Sequence, residues 1–567
     1  MTTKTLNIVI GGEAGQGLVT IGELLAKTLV ECGYEIVVTQ SYQSRVRGGH
    51  NTFTIRTSNA GLAAPQETID LLIVMNEETV RLHREELSKN GLVVTDSSIK
   101  IDAIPCLGVP YGELTSRRHE NVAALGVATF LLGLDKTVPA QVLERKFGKK
   151  GAEVMAENRK ALDTAYQWTS DKLAQARPEA LDFLKLPETK RQSPRLILNG
   201  NEALALGALS AGVKFCSFYP MTPATSIAVT INQYAAAMGV VVEQAEDEIA
   251  AINMAIGAAF AGAPSLVTTS GGGFALMTEG ISLAGMTETP VVVMLGQRPG
   301  PATGLPTRTE QGDLELVLYA GHGDFPRAIL APGSVEECFH LAGKAFELAE
   351  SSQGPVFLLT DQFLADSFRA VVPFNVDELC SVQTGTDPSP AQSPYRRYAL
   401  TEDGVSPRLL PGFSRHLVIA DSDEHDEDGH LTEDLEVRVR MVDKRMKKYA
   451  RLKNEVIPPS YLGAEDPELL LVCWGSTQGS VVEAAGALES AGRKVGVLHF
   501  AQVWPLVAQH FVEYLNRARQ VVAVESNATG QFARLLERAT GLQIRRQILR
   551  YDGLPITPQT ILAALKI

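Results

Sequence analysis

The stretch Ser217–Ile227, SFYPMTPATSI, follows an apolar segment and places Thr222 between two prolines. Proline fixes φ and biases the preceding residue toward extended conformation, so this stretch predicts a stiff loop rather than a regular element. Polar residues just beyond the carboxyl ends of strands are where open α/β sheets bind their ligands. We therefore expect Thr222 to present its hydroxyl group at a set position beside a ligand site.

Apolar segments on both sides of this loop alternate with helical patterns. Between about residues 196 and 380 the apolar stretches are FCSFYP, VVVEQ, PSLVTTS, PVVVMLG and GPVFLLTDQ. The same alternation is found over residues 5 to 170 and again from about residue 466. Because strands that alternate with helices indicate parallel sheets, the sequence predicts an α/β protein of three domains with mostly parallel sheets.

Stretches rich in charge and proline separate the three patterned regions. The predicted segments are a first domain at 1–175, a linker at 176–195, a second domain at 196–395, a connecting segment at 396–465 and a third domain at 466–567. The connecting segment contains the acidic run Asp421–Glu436, with His425 and His430 among the carboxylates. This run lacks the ligand order of a hard-cation site, so we predict no metal site and a solvated loop against the following basic helix.

The composition excludes several classes of function. The 567 residues carry 52 lysines and arginines against 65 aspartates and glutamates, and the net charge of −13 argues against nucleic-acid and anionic-membrane partners. No apolar run reaches the ~18 residues that span a bilayer and no signal peptide precedes the first strand, so we expect a cytoplasmic protein. The six cysteines are scattered, which indicates free thiols and no iron–sulfur cluster held by this chain alone.

Two motifs in the first domain are candidate anion sites. The glycine-rich GGEAGQG, Gly11–Gly17, follows a strand and opens a helix, where backbone N–H groups favour anions; a plain tight turn is an equal alternative. The next strand ends at Gln40, without the acidic residue that a nicotinamide cofactor requires. Arg45 and Arg47 share one face of an extended segment and are placed to receive a carboxylate or phosphate, with a solvated loop as the alternative.

A cluster of acidic residues precedes a helix of small and apolar residues. Glu243, Glu246, Asp247 and Glu248 crowd the start of the pattern IAAINMAIGAAFAGA. Capping of the helix N-terminus explains most of them, because the helix macrodipole favours negative charge there. The following helix is apolar on nearly every face, so a carboxylate that enters it is desolvated and available to a buried heterocycle nitrogen. Glu248 adjoins the apolar run and is the best candidate.

A loop rich in glycine, proline and threonine follows the buried strand that ends at Gly296. This loop, QRPGPATGLPTRTEQGDL, presents Arg298 directly after the strand and Thr307 with Arg308 further along. Arg298 is placed to clamp a carboxylate at the carboxyl end of the sheet. A surface arginine is the alternative.

These motifs together resemble the alpha subunits of the 2-oxoacid:ferredoxin oxidoreductases, in the form that carries a gamma-type domain at the amino terminus. GGEAGQG and SYQSRVRGGH are similar to the gamma domain. YPMTPATSI, QAEDEIAAINMAIGAAFAGAPSLVTTSGGGFALMTEG and GQRPGPATGLPTRTEQGDL are similar to the thiamin pyrimidine-binding domain. LLLVCWGSTQGSVVEA and VVAVESN are similar to the transketolase C-terminal-like domain. The resemblance covers nearly the whole chain, and it is strongest to the 2-oxoglutarate:ferredoxin oxidoreductases, or 2-oxoglutarate synthases.

The resemblance implies three catalytic residues. Thr222 would face the thiamin C2 carbon and hydrogen-bond the 2-oxoacid. Glu248 would bond N1′ of the aminopyrimidine and promote its imino form, with Glu246 as the alternative. Arg298 would hold the substrate carboxylate.

It also implies contacts around these three residues. Tyr219 and Pro220 would contact the cofactor, and Thr307 would bind substrate beside Arg298. Arg45 and Arg47 are candidates for a second substrate carboxylate.

The resemblance further implies a reaction, cofactors and partners. The reaction is the reversible, coenzyme A-dependent oxidative decarboxylation of 2-oxoglutarate to succinyl-CoA and CO2, with electrons passed to ferredoxin, as the reductive TCA cycle requires in reverse. The cofactors are thiamine diphosphate with Mg²⁺ and a 4Fe–4S cluster, and the metal and cluster ligands lie on a separate beta subunit. The expected assembly is an (alpha-beta)2 heterotetramer without nucleic-acid or membrane partners.

Three alternatives stay open at this point. The same reaction is compatible with pyruvate or another 2-oxoacid as substrate. A transketolase- or dehydrogenase-type thiamin enzyme without a cluster is a second alternative. A non-catalytic assembly subunit is the third, and turnover that survives replacement of Glu248 would support it.

Overall fold

The computed structural model describes residues 3–43, 49–102, 104–174, 178–189, 193–375, 382 and 394–566. The strands in these ranges are β1 (Thr5–Glu13), β2 (Glu35–Ser41), β3 (His50–Ser58), β4 (Ile69–Val74), β5 (Leu87–Asp96), β6 (Cys106–Val109), β7 (Leu196–Leu198), β8 (Phe215–Phe218), β9 (Val241–Gln244), β10 (Ser265–Thr269), β11 (Val291–Gln297), β12 (Ala328–Leu330), β13 (Pro355–Asp361), β14 (Phe368–Val371), β15 (Ser460–Gly463), β16 (Leu469–Trp474), β17 (Val495–Phe500), β18 (Gln502–Trp504), β19 (Gln520–Glu525) and β20 (Arg546–Leu549).

The helices in the same ranges connect these strands. They are α1 (Leu18–Glu31), α2 (Glu77–His83), α3 (Tyr111–Leu114), α4 (Glu120–Leu131), α5 (Thr137–Phe147), α6 (Ala152–Ala174), α7 (Gly200–Ser210), α8 (Thr225–Met238), α9 (Glu248–Phe260), α10 (Gly271–Leu276), α11 (Thr278–Met286), α12 (Leu314–Tyr319), α13 (Val335–Ser352), α14 (Gln362–Asp366), α15 (Leu435–Asn454), α16 (Gln478–Ser490), α17 (Val512–Arg517), α18 (Gln531–Thr540) and α19 (Pro558–Leu565). Among the described residues, no helix combines the length and the apolarity that crossing a membrane requires.

The chain divides into two compact units, and the first contains one eight-stranded sheet. This unit comprises the residues up to Leu198 together with Ser367–Pro373 and Thr557–Gln559. Its strand order is β6-β5-β4-β1-β3-β2-β14-β7. The strands β1, β4, β5 and β6 pair in parallel, whereas β3, β2, β14 and β7 pair antiparallel. The helices α1, α4, α5 and α6 share one apolar core with this sheet; α1 packs on the strands, whereas α5 and α6 pack on α1 and α4.

The parallel sheet indicated for residues 5 to 170 is observed as a mixed sheet, parallel in one half and antiparallel in the other. Strand β3 lies between β1 and β2 and runs antiparallel to both. The reason is the short connection from Ser41 to His50, because a parallel neighbour requires a crossover of about a dozen residues or more. The alternation in NTFTIRT is the period-2 signal that predicts this strand.

The second unit contains two sheets, both built mostly from parallel strands. The larger has the order β18-β12-β13-β11-β10-β8-β9, and only its edge strand β18 pairs antiparallel. The smaller has the order β15-β17-β16-β19-β20, with β15 as its antiparallel edge. The carboxyl ends of β8, β10 and β11 meet at the same edge of the larger sheet, because these neighbouring strands run in parallel.

Two short strands belong to a different unit from the one that their place in the sequence predicts. The predicted domain boundaries themselves remain predictions. Strands β7 and β14 fall within the predicted second domain, yet both are hydrogen-bonded into the sheet of the first unit. In the predicted linker, Leu184 and Leu186 are buried in the core of the first unit. Apolar residues in that charged stretch therefore pack as part of the first unit.

The connecting segment is held to the second unit by a buried ionic cluster. Glu288, completely buried before β11, accepts a 2.7 Å hydrogen bond from Lys444 and is also ion-paired with Lys448. Arg397 donates a 2.8 Å hydrogen bond to the carbonyl oxygen of Glu288. Burial alone would raise the pKa of Glu288, but the three surrounding cations outweigh it and lower the pKa to about 2. Glu288 is therefore ionised at every physiological pH.

The acidic run of the connecting segment is packed more tightly than a solvated loop. His425 is fully buried and packs against Tyr398, with ring centroids 4.0 Å apart and the ring planes tilted by 42°. Glu424 accepts hydrogen bonds from Arg445 and Arg438 of α15. The prediction of a solvated run is wrong for these residues, because their basic partners lie on the adjacent helix.

Replacing Glu288 by Gln is expected to lower the free energy of unfolding by about 3–5 kcal/mol, because two lysine side chains would remain buried without a counter-ion. The folded-state pKa of Glu288 lies below its ordinary value of 4.5, so its stabilisation is complete above about pH 4.5 and is lost as pH falls toward 2. Urea unfolding between pH 3 and pH 7 measures both effects. The matched control is Asp403→Asn, which breaks the exposed pair with Arg451 and should cost less than about 1 kcal/mol. Equal losses in the two variants would contradict the prediction.

Candidate active site

The loop after β8 is fixed in place by a buried asparagine. Asn201 of α7, which is fully buried, donates through Nδ2 to the carbonyl oxygen of Pro223 at 2.8 Å and to the hydroxyl oxygen of Ser226 at 2.7 Å. The bond between Thr222 and Pro223 is a cis peptide. Gly296 at the end of β11 approaches Pro223 so closely that a Cβ there would lie 2.9 Å from the proline ring. The predicted stiff loop is therefore held by hydrogen bonds as well as by its prolines.

Glu248 and its acidic neighbours have different surroundings at the start of α9. Asp247 caps the helix, because its side chain accepts a 2.7 Å hydrogen bond from the backbone N–H of Ala250. Glu246 is exposed, whereas Glu248 is 4% exposed. The Oε1 atom of Glu248 is buried and has no hydrogen-bond partner among the described residues. Leaving such an atom unpaired costs about 1–3 kcal/mol, so a ligand that pairs with it recovers this free energy.

A glycine in α10 makes room for the Glu248 carboxyl group. A Cβ atom on Gly273 would lie 2.6 Å from Oε1 of Glu248 and 2.4 Å from the hydroxyl oxygen of Thr269. Gly272 differs, since its Cβ would meet only the carbonyl oxygen of Ala302 at 3.7 Å. The third glycine of SGGGF is therefore required by a close approach, and the second is not.

Arg298 lies directly on the Thr222 loop. Its Nη1 atom donates a 2.7 Å hydrogen bond to the carbonyl oxygen of Thr222. Burial lowers the pKa of the guanidinium, and the nearby Asp313 carboxyl opposes this. Arg298 remains a cation, and its other N–H groups can bind a carboxylate in the fork geometry of guanidinium groups. The structure thus brings together two of the predicted residues, one after β8 and one after β11.

The long loop that begins at Arg298 is closed by a single glutamine. Gln297 is 1% exposed, and its Oε1 accepts a 3.0 Å hydrogen bond from the backbone N–H of Asp313. Its Nε2 donates to the carbonyl oxygen of Thr360 on β13 at 3.1 Å. The loop therefore leaves the sheet and returns to it at one point.

Gln311 ties the same loop to the smaller sheet of the second unit. Its Nε2 donates to the carbonyl oxygen of Trp474 at 2.9 Å, and its Oε1 accepts from the backbone N–H of Ser526 at 3.0 Å. The side chain of Asn527 donates to the carbonyl oxygen of Gln311 at 3.2 Å. Both polar atoms of the Gln311 side-chain amide are thus hydrogen-bonded. The VESN motif, residues 524–527 at the end of β19, therefore supports the loop that carries Arg298.

The remaining predicted residues have less definite surroundings. Tyr219 and Pro220 are exposed on the loop after β8, and Thr307 is partly buried on the loop after β11. Arg45 and Arg47 lie outside the described residues. In the first unit, Gly12 lies near the end of β1, where an added Cβ atom would be 2.6 Å from Oε1 of Gln16 and 2.8 Å from Cβ of Met75, so a close approach requires this glycine. The anion site proposed for GGEAGQG stays a prediction.

Four supporting residues were missed by the sequence analysis, namely Asn201, Gln297, Gln311 and Asp313. An amide or carboxylate in a loop has the same local pattern whether it is buried or solvated. The proline-rich and glycine-rich surroundings gave a weak signal for the loop itself, but none for the partners of these side chains.

Known proteins match this chain over nearly all of its length. The profile described as pyruvate ferredoxin/flavodoxin oxidoreductase matches residues 7–168, the thiamine diphosphate-binding profile of pyruvate flavodoxin/ferredoxin oxidoreductases matches 206–444, and the transketolase C-terminal domain matches 462–562. The alpha subunit of 2-oxoacid:ferredoxin oxidoreductase 1 from Aeropyrum pernix is 31% identical, over 98% of this chain and 96% of that one. The chain belongs to the alpha subunits of the 2-oxoacid:ferredoxin oxidoreductases.

Relatives with a named substrate are also similar to this alpha subunit. The 2-oxoglutarate oxidoreductase subunit KorA of Mycobacterium tuberculosis is 28% identical over 94% of this chain and 87% of that one. A solved structure of 2-oxoglutarate:ferredoxin oxidoreductase from Magnetococcus marinus, with 2-oxoglutarate, coenzyme A and succinyl-CoA bound, superposes with a TM-score of 0.93. Its sequence is 32% identical, and the match covers 99% of both chains.

The family match settles several of the predictions. The resemblance to this family is confirmed, and so is the fold class of three α/β domains with mostly parallel sheets. As an alpha subunit, the chain is part of an oxidoreductase, contains a thiamine diphosphate-binding domain and has a partner subunit.

Proposed function

We propose that the chain is the alpha subunit of a 2-oxoglutarate:ferredoxin oxidoreductase. This enzyme would convert 2-oxoglutarate and coenzyme A reversibly to succinyl-CoA and CO2, with electrons passed to ferredoxin. The observation that carries the thiamin chemistry is the buried, unpaired Oε1 of Glu248 beside Gly273. The choice of 2-oxoglutarate is supported by the relatives named for it and by the bound state of the similar structure.

Glu248 fits the pyrimidine ring of thiamine diphosphate. Its unpaired oxygen needs a hydrogen-bond partner, which a ring nitrogen supplies, and the absent side chain at Gly273 leaves the approach open. When bound, the cofactor supplies a carbon nucleophile that can take up the 2-oxo group. Glu248 would hold or share the proton at the ring nitrogen. Tyr219 and Pro220 would line the cofactor from the loop after β8.

Arg298 and Thr222 would bind the substrate. Arg298 supplies the positive charge for the carboxylate next to the ketone, and its bond to the Thr222 carbonyl oxygen fixes both groups in one geometry. The Thr222 hydroxyl would donate to the substrate, with Thr307 as a further contact. Arg45 and Arg47 remain candidates for the distal carboxylate.

The beta subunit would cover an apolar surface beside Glu248. On α8 and α9, five large apolar side chains are 41–49% exposed: Val229, Tyr234, Met238, Ile249 and Met254. Large exposed apolar side chains mark protein interaction sites where they adjoin one another. In the described part of the chain, no group of three or more His, Cys, Asp or Glu residues is arranged to hold a metal ion. The proposal places the Mg²⁺ and 4Fe–4S ligands on the beta subunit, in an (alpha-beta)2 complex in the cytoplasm.

Coenzyme A-dependent viologen reduction by the complex with its beta subunit tests the proposed function. The substrates are 2-oxoglutarate, pyruvate and 2-oxoisovalerate at equal concentrations. Preference for 2-oxoglutarate by at least about tenfold in kcat/KM is expected, because a dedicated charge contact for the second carboxylate contributes about 1.5–3 kcal/mol. Preference for pyruvate or another monocarboxylate would overturn 2-oxoglutarate as the proposed substrate, but the proposed reaction type would stand. No turnover with any of them, with thiamine diphosphate and cluster bound, would overturn the proposal.

Replacing Gly273 by Ala is expected to weaken thiamine diphosphate binding by the complex by about 5- to 150-fold, since overpacking of this size costs about 1–3 kcal/mol. The added methyl group would displace Glu248 from the position that its Oε1 occupies. Fluorescence titration of the cofactor-depleted complex measures the affinity. The matched control is Gly272→Ala in the same helix, where the methyl group has room and the affinity should stay within about twofold. Equal affinities for the two variants would argue against the placement of the cofactor at Glu248.

A further inference from the structure

Asp313 occupies a capping position without capping a helix. It immediately precedes α12, where aspartate normally accepts hydrogen bonds from the first backbone N–H groups, but its side chain makes no such bond. Its Oδ2 atom is buried and has no hydrogen-bond partner in the part of the chain that the structure describes. The carboxyl group is therefore directed to something other than the helix.

The Asp313 carboxyl group lies among the glycines that also border Glu248. A Cβ atom on Gly271 would lie 2.5 Å from each of the two Asp313 carboxyl oxygens. Gly273, two residues further along, leaves the equivalent space for Glu248. One glycine-rich turn thus admits two carboxyl groups, and only Glu248 was predicted from the sequence.

Burial and two charged side chains shift the pKa of Asp313. Gln297 holds its backbone N–H and is neutral, whereas Glu310 and Arg298 are charged and act in opposite directions. Burial is the largest influence, Glu310 adds to it and Arg298 opposes it, so that the pKa of Asp313 is raised to about 6. Gly271, which packs against the carboxyl group from α10, adds no charge.

We propose that Asp313 is a proton-linked positioning residue of the 2-oxoacid site, which takes up one proton when the substrate carboxylate binds at Arg298. This inference rests on the proposed function, because it takes Arg298 as the carboxylate ligand. The substrate carboxylate adds a negative charge near Asp313. It also binds Arg298, the cation that otherwise stabilises the ionised form of Asp313. Both changes favour the protonated form. The protonated group can then donate a hydrogen bond, which Oδ2 lacks in the free chain.

The direction in which substrate affinity changes with pH follows from this proton uptake. The complex with substrate holds one more proton than the free site, so affinity falls as pH rises above about 6, where the free Asp313 ionises. The fall is at most about tenfold per pH unit and ends at the higher pKa of the bound state. Below about pH 6 the group is protonated in both states and contributes no pH dependence.

The experiment measures KM for 2-oxoglutarate and kcat of the complex between pH 6 and pH 9. For the parent enzyme, KM should rise with pH and kcat should change less. Asp313→Asn should flatten the KM profile, since the amide has the same shape and cannot ionise. Glu310→Gln should move the rise in KM to lower pH, because it removes a charge that raises the pKa of Asp313. Asp324→Asn, at an exposed position, is the matched control and should keep the parent profile.

Calorimetry provides a second measurement that does not need turnover. Titration of 2-oxoglutarate at pH 7.5 in two buffers of different ionisation enthalpy should show proton uptake by the parent complex and almost none by Asp313→Asn. Binding or turnover with the parent pH profile and proton uptake intact in Asp313→Asn would overturn this inference alone. Absence of both 2-oxoacid binding and turnover in the parent complex would overturn the proposed function and this inference with it.

Discussion

Replacing Glu248 by Gln is expected to lower kcat of the complex by about 10²- to 10⁴-fold, the usual contribution of a positioned acid–base group. The side chain keeps its shape and its burial but can no longer carry or share the proton at a ring nitrogen. Because the glutamine amide can still form a hydrogen bond to a ring nitrogen, the loss should occur in turnover with a smaller change in cofactor affinity. Single-turnover viologen reduction at saturating thiamine diphosphate separates the two effects.

The matched control for this prediction is Glu246→Gln, two residues earlier. Glu246 is exposed, so its replacement should leave kcat within about twofold. A large loss in the Glu246 variant with none in the Glu248 variant would exchange their roles. Unchanged turnover in both variants would support the alternative of a non-catalytic assembly subunit.

Replacing Arg298 by Met is expected to raise KM for the 2-oxoacid by about 10- to 150-fold, because a hydrogen bond to a charged group contributes about 1.5–3 kcal/mol. The variant also loses the 2.7 Å hydrogen bond to the Thr222 carbonyl oxygen, so kcat should fall as well. Steady-state kinetics with 2-oxoglutarate at constant ionic strength measure both constants.

Two further variants separate charge from geometry at this position. Arg298→Lys keeps the positive charge but not the planar fork, and it should recover only part of the affinity. Arg519→Met removes an exposed arginine next to the amino end of β19 and should leave KM unchanged. A KM for Arg298→Met equal to that of Arg519→Met would exclude Arg298 from carboxylate binding.

The sequence predicted the elements of the second unit better than those of the first. Runs such as PVVVMLG and GPVFLLTD are apolar over their whole length, which is the pattern of strands buried on both faces of a parallel sheet. The sequence analysis did not predict strand β3. The alternation in NTFTIRT is short, and it directly follows a polar stretch that contains arginines and glycines. Strands β7 and β14 are short, and their pairing joins segments about 170 residues apart. Local pattern cannot indicate such pairing.

The candidate residues could be predicted where a polar residue stands next to a distinctive local sequence pattern. Thr222 is marked by its flanking prolines, Glu248 by the apolar helix that it opens, and Arg298 by the strand that it follows. Asp313 and Gln311 have no such mark. Their importance arises from contacts with Gly271 and Ser526, which only the folded chain brings near.

The tie between Gln311 and the VESN motif also has a consequence for how the protein is made. Gln311 and Ser526 are 215 residues apart, so the loop that carries Arg298 lacks its support while the intervening chain is still being translated. At ~5–20 residues per second this interval lasts about 10–40 s. A nascent chain therefore acquires the support of the loop that carries Arg298 among its last structural features, and a chain released early would lack this support.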